Sequence, residues 1–140
     1  MLSRLAWTIP ALALIAAIGA GCSSSSTNST APAPVPGPNF SFAFPTAGSV
    51  ATPGTSNRRF FTKNEVGSWS YRCIPHGGSG MTGTINVVAG SPTDSAFIRV
   101  GFNGTSEALQ FNPSVVTIDT GGYVRWANVS SMTNHTVTRP

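Results

Sequence analysis

The sequence predicts an all-β fold, a Greek-key β-sandwich of short strands in a single domain. Three observations carry that expectation. Charged residues make up 9% of the 140-residue chain, against ~25% in an ordinary globular domain, while Gly, Ser, Thr, Pro and Val abound. From Asn39 onward, short alternating runs of apolar and polar residues are separated by turn formers, the pattern of a sandwich or barrel. Nothing sustains a helical period, and Gly, Pro and β-branched residues are too dense to permit one. Residues 39–140 are enough to bury one modest core but not two.

The strands follow in order. "FSFAF" alternates Phe40, Phe42 and Phe44 with small residues. "RFFT" leads into the turn "KNEVG". In "SWSYRC", Trp69, Tyr71 and Cys73 share one face, and Ser68, Ser70 and Arg72 share the other. Cys73 therefore points the same way as two large aromatics. "GTINVV" resumes after Met81 with Ile85 and Val87 on one face. "AGSPTD" then breaks the pattern, and "AFIRVGF", "ALQF", "SVVTI", "YVRWAN" and "HTVT" complete the set.

The N-terminus reads as an export signal over residues 1–21. "MLSR" supplies a positive charge, "LAWTIPALALIAAI" a short apolar stretch, and "GAGC" small residues ending at Cys22. The apolar run, broken by Pro10, is short of the ~20 residues of a membrane span. A cysteine directly after small residues resembles the lipobox of bacterial lipoproteins, in which that cysteine is lipidated. The alternative is an ordinary signal peptide with Cys22 as a spare thiol. Residues 22–38, "CSSSSTNSTAPAPVPGP", form a low-complexity tether that cannot bury a core. The expected protein is thus exported and held to a bacterial membrane by a lipid anchor, periplasmic or outward-facing.

The formal charge of +4 rests on few residues. No basic cluster exceeds the pair Arg58-Arg59 and none has aromatics interleaved within it, so nucleic acid is not an expected partner. With Cys22 lipidated, Cys73 is left without an intramolecular disulfide partner.

The chemistry concentrates in "CIPHGGSGM", Cys73 to Met81. Taken singly, a lone Cys is most often buried and inert, a lone His a surface residue, and a Met core filler. Together they place a strand-end thiol, an imidazole in a tight loop and a thioether where the chain turns back into a strand. Gly77, Gly78 and Gly80 allow the loop to close. The chain has two histidines, so a second imidazole can only be His135. Two imidazoles, a thiolate and a more distant thioether form the trigonal set with a weak axial ligand that suits copper. Zinc prefers four firm tetrahedral ligands.

"FNPSVVTIDTGGYVRWANVSSMTNHTVT" resembles the first half of the cupredoxin family, and "FTKNEVGSWSYRCIPHGGSGMTGTINV" resembles its second half with plastocyanin-type ligand spacing. The likeness covers nearly all of residues 39–140. It departs in one respect, because cupredoxins present the His half first and the Cys-His-Met half last. A circular permutation would join the usual termini through "AGSPTD" and open new ones after "HTVTRP". The competing explanation is a truncated tandem protein. Each ligand occurs once and the halves sum to one domain, which favours permutation. The permuted domain is expected to bring His135, Cys73, His76 and Met81 around one ion.

The resemblance implies a single mononuclear copper ion and one-electron transfer, with a cytochrome or a copper enzyme as redox partner and the membrane reached through the anchor. Pro75 has no N–H to offer the thiolate, which leaves the Thr136 amide as its donor. Relatives carry Asn and Ser at the positions of Thr136 and Ile74 to link the ligand loops, a link the Ile74 side chain cannot make. Asn134 offers a backbone carbonyl as a distant fifth contact, and Met132 is expected to pack in its loop. An enzyme is not expected, because both histidines are already assigned and Glu65, Asp94, Glu107 and Asp119 are scattered like solvated surface. A periplasmic copper carrier, a metal-free structural module and a non-functional fragment are the alternatives.

Overall fold

The computed structural model describes residues 37–140. The expected leader, the Cys22 lipidation site and nearly all of the 22–38 tether lie outside the described residues. Nine strands run β1 Phe40–Phe44, β2 Ser56–Phe60, β3 Gly67–Arg72, β4 Thr82–Val87, β5 Ser95–Phe102, β6 Glu107–Asn112, β7 Val115–Ile118, β8 Tyr123–Asn128 and β9 His135–Arg139. The described helical structure is a single 3-10 turn at Gly77–Ser79.

The strands form two sheets, one ordered β1-β9-β3-β4-β7 and the other β2-β8-β5-β6. Their orientation is mixed, with parallel β4–β7 and β5–β8 pairs. Side-chain parity sets the packing. Tyr71, Ile85, Val87, Ile98, Val124, Trp126 and Val137 are buried between the sheets, while the alternate residues Ser68, Ser70, Arg72 and Arg125 face solvent. Trp126 anchors the core. Its ring meets Tyr71 edge-on at 5.7 Å and lies 5.7 Å from Phe40, and burying side chains of this size stabilises by about 1.5–3 kcal/mol each.

Three features place the halves of the sequence against each other. Phe40, at the start of β1, is the Cα partner of Arg139 at the end of β9, so the domain opens and closes at adjacent points on one sheet. The two ligand-bearing segments also meet directly, with Arg72 of β3 paired to Thr138 of β9. Finally, the connector between β4 and β5 is tied down. Val88 N–H donates to the Ile118 carbonyl, Asp119 N–H to the Thr93 carbonyl, and Gly90 N–H to the Asp119 carboxylate at 2.9 Å.

The acidic residues are scattered as expected, but three of them brace loops rather than simply face water. Backbone N–H groups of Thr120 and Gly90 hold the Asp119 carboxyl below its usual range. Glu65 pairs with Arg59 at 2.6 Å and accepts the Thr62 N–H. Glu107 accepts both the N–H and the hydroxyl of Ser131 at 2.8 Å.

Candidate metal centre

Cys73 follows β3 directly and is fully buried. Its N–H donates to the Met81 carbonyl at 3.0 Å, which shuts the loop across its base. Within the loop the His76 carbonyl accepts N–H donors from Ser79 and Met81. Gly80 ends the 3-10 turn at φ 84°, a left-handed conformation that favours glycine. It is thus Gly80, of the three loop glycines, that the backbone demands; Gly78 has open space around it. Met81 is fully buried, its backbone bonded to both Cys73 and His76.

His135 comes from the other end of the chain as the first residue of β9, opposite Phe44. Its Nδ1 lies 3.8 Å from Cys73 Sγ, and His76 Nδ1 lies 3.3 Å from the same sulfur. All three ligand atoms fall within 4.8 Å of one another. With metal–nitrogen and metal–sulfur bonds of about 2.0 and 2.3 Å, trigonal coordination separates N from S by roughly 3.7 Å. The observed 3.3 and 3.8 Å bracket that separation, so the donor set fits a small divalent or monovalent transition-metal ion.

The surroundings suit ligation. Thr136 N–H donates to Cys73 Sγ at 3.3 Å, and Pro75 offers no second donor. The ligand loops are linked after all. Ile74 donates its backbone N–H to Thr136 Oγ1 at 2.7 Å, so the link expected to be missing is made by the main chain. Met132, expected to pack in its loop, is instead 44% exposed. Asn134 precedes His135 in an exposed stretch of the same loop.

Sequence reasoning missed what stands behind His135. Asn128 is fully buried at the end of β8 and clamps the loop leading to the ligand. Its amide donates to the carbonyls of Thr46 and Met132, and its oxygen accepts the N–H and hydroxyl of Ser130. The signal was present in "YVRWAN", where Asn128 shares inward parity with Val124 and Trp126 and so needs polar partners. Gly101 closes the wall. The β5–β6 register shifts between Val100 and Phe102, and at this bulge Gly101 has φ 79° and lies against Ser130 and His135. His135 Nε2 is buried behind it without a hydrogen-bond partner.

Burial, aided by the nearby His76, pushes the His135 imidazole down to about 4, with Glu107 opposing slightly. The ring is therefore neutral near pH 7, with a lone pair available to a metal. A linkage prediction follows. His135 takes up a proton near 6.5 when unfolded but near 4 when folded, so this residue's contribution to the stability of the metal-free protein is lost as pH falls from about 6.5 to about 4. Urea midpoints measured on apoprotein at intervals from pH 7.5 to 4 should fall across that window. The His135→Gln variant should lack this component, and an unchanged slope in it would refute the assignment.

Fold and site together define an all-β sandwich with a Cys/His/His cluster beside a buried Met, an architecture compatible with the cupredoxin fold. No protein-family model, curated protein or solved structure matches the chain.

Proposed function

We propose that this chain is a type 1 copper protein that carries single electrons outside the cytoplasmic membrane, its cupredoxin domain circularly permuted at residues 39–140. The observation that carries this reading is the convergence of Cys73 and His76, from mid-chain, with His135, 59 positions beyond His76, to within 4.8 Å. A fragment, or a dimer exchanging halves, would not need one chain to close its own site. The adjacency of Phe40 and Arg139 fits the opening of new ends in the permuted order.

Cys73, His76, His135 and Met81 would hold the ion, and copper would supply a Cu(I)/Cu(II) couple. The chain's own contribution is rigidity. The Thr136 amide fixes the sulfur and the Ile74–Thr136 bond locks the two loops together. Asn128 and Gly101 fix the wall behind His135, so little rearrangement accompanies a change of charge. His76 is only half-buried, which makes its ring the route to a redox partner such as a cytochrome or copper enzyme. The reading assigns no catalytic residue. It includes export, lipid anchoring at Cys22 and a position on the outer side of a bacterial membrane.

Titration of the full chain with Cu(II), followed by absorption and electron paramagnetic resonance, tests this. The expected result is one equivalent bound, an intense thiolate-to-Cu(II) band and reversible bleaching on reduction. A colourless protein that binds Cu(I) and yields it to a chelator would replace electron transfer with copper carriage.

A further inference from the structure

Strand register builds a surface that cannot be read along the chain. On the outer face of the β2-β8-β5-β6 sheet, Arg58 is the Cα partner of Arg125, and Arg125 in turn is the partner of Phe97. One step along, Phe60 pairs with Tyr123. Arg99 lies two residues beyond Phe97 on the same face of β5. Basic and aromatic residues, which stand two apart within each strand as Arg58/Phe60, Phe97/Arg99 and Tyr123/Arg125, thus interleave across strands as well.

Arg58, Arg99 and Arg125 form no ion pair among the described residues. Arg59–Glu65 is the ion pair among the described residues, and none of the chain's four carboxylates lies outside them. Arg58 and Arg125 stand directly opposite each other, an arrangement that costs stability in an antiparallel pair. Each guanidinium is instead laid on a ring. Arg58 lies 4.6 Å from the Tyr123 centroid and 5.8 Å from Phe60, Arg125 lies 5.6 Å from Phe97, and Arg99 lies 5.7 Å from Phe97. Stacking occupies the flat face of a guanidinium and leaves its N–H edge for polar partners; Arg125 gives its Nε–H to Ser56 Oγ at 2.8 Å and keeps its terminal N–H groups for a carboxylate. Phe60 and Phe97 remain 54% and 39% exposed, and Phe97, Tyr123 and Arg125 line a shallow depression between them.

We propose that this sheet face docks the domain onto an acidic protein surface. Arg, Tyr and Phe without Lys, Asp or Glu is the composition of a protein-binding centre rather than of ordinary solvated surface. The excess positive charge selects a partner rich in carboxylates. A second copy of this chain is a poor match, because Glu65, Glu107 and Asp119 are already engaged in its own loops and Asp94 alone cannot balance three arginines. Single-stranded nucleic acid and lipid are both disfavoured, since each ring that would stack on a base or enter a bilayer already carries a guanidinium over it. The face belongs to the sheet opposite the one that contains β3, β4 and β9. Docking there leaves His76 open, and the inference stands whether or not the site binds copper.

Nuclear magnetic resonance titration of the full chain with poly-L-glutamate tests the proposal, with oligothymidine and phosphatidylglycerol vesicles as competing probes. Polyglutamate is expected to shift resonances of residues 56–60, 95–99 and 123–127, with affinity falling as salt rises. The double variant Arg58→Gln, Arg125→Gln should bind roughly tenfold more weakly, while its melting temperature stays level or rises as the like-charge pair disappears. Arg125→Lys, which keeps the charge but not the fork, should lose affinity too. Shifts confined to the opposite sheet, unchanged affinity in these variants, or tighter binding of oligothymidine or vesicles at this face would each overturn the proposal. The single variant Arg58→Gln provides the same comparison if the double variant does not fold.

Discussion

Replacing Cys73 with serine is expected to abolish the thiolate-to-Cu(II) absorption completely and to weaken copper binding by at least roughly a hundredfold. The estimate follows from the hierarchy of a metal site, in which loss of even an outer partner of a ligand costs about 10–100-fold in affinity. Cys73 is the thiol of the site and the atom from which both imidazole distances, 3.3 and 3.8 Å, are measured. Serine is slightly smaller, and its oxygen can still accept the Thr136 N–H that the sulfur accepts at 3.3 Å. The sandwich should therefore remain folded, at a cost of about 1 kcal/mol for placing a hydroxyl where a thiol was buried. Absorption, resonance and copper titration on Cys73→Ser, beside a urea melt, separate the two effects. A variant that changes only in stability would show that the cluster is a packed core without a metal function. The companion variant His76→Gln keeps the thiolate and should retain a weaker, altered copper signal.

Much of this architecture is legible in the sequence because parity in a strand is a local rule. The alternation in "SWSYRC" places Cys73 beside Tyr71 on the inward face, and both are buried. The count of histidines leaves His135 as the one residue able to complete the set, and the fold delivers it. What could not be read depends on groups that every residue carries or on register between distant strands. The Ile74–Thr136 link uses a main-chain N–H, so an apolar side chain at position 74 says nothing about it. Glu107 looks like solvated surface until the fold brings Ser131 to its carboxylate. The pairing of Arg58 with Arg125 likewise exists only once β2 lies against β8, 67 positions away in the numbering.

Gly101 is the sharpest case, because nothing in "RVGFNG" marks it as part of the candidate metal site. A methyl group added there would sit 2.4 Å from Ser130 Oγ and 2.8 Å from His135 Nε2, closer than real contacts allow. The backbone at φ 79° adds about 1–2 kcal/mol for any residue with a Cβ. Ser130 cannot swing aside freely, since its N–H and hydroxyl both donate to Asn128 Oδ1. The imidazole is equally confined, with Cys73 in front of it and the bulge behind. Gly101→Ala is therefore expected to cost about 3 kcal/mol, combining backbone strain with overpacking, and to move His135 relative to Cys73. A thermal or urea melt reads the first effect, and the resonance spectrum of the copper-loaded protein reads the second. Adding Ser130→Gly removes the hydroxyl contact but leaves the ring contact untouched. The double variant should thus regain part of the stability while its copper spectrum remains perturbed. If the spectrum instead returned to that of the parent, the glycine would be required only to make room for Ser130, and the wall behind His135 would be structural rather than a positioning device for the ligand.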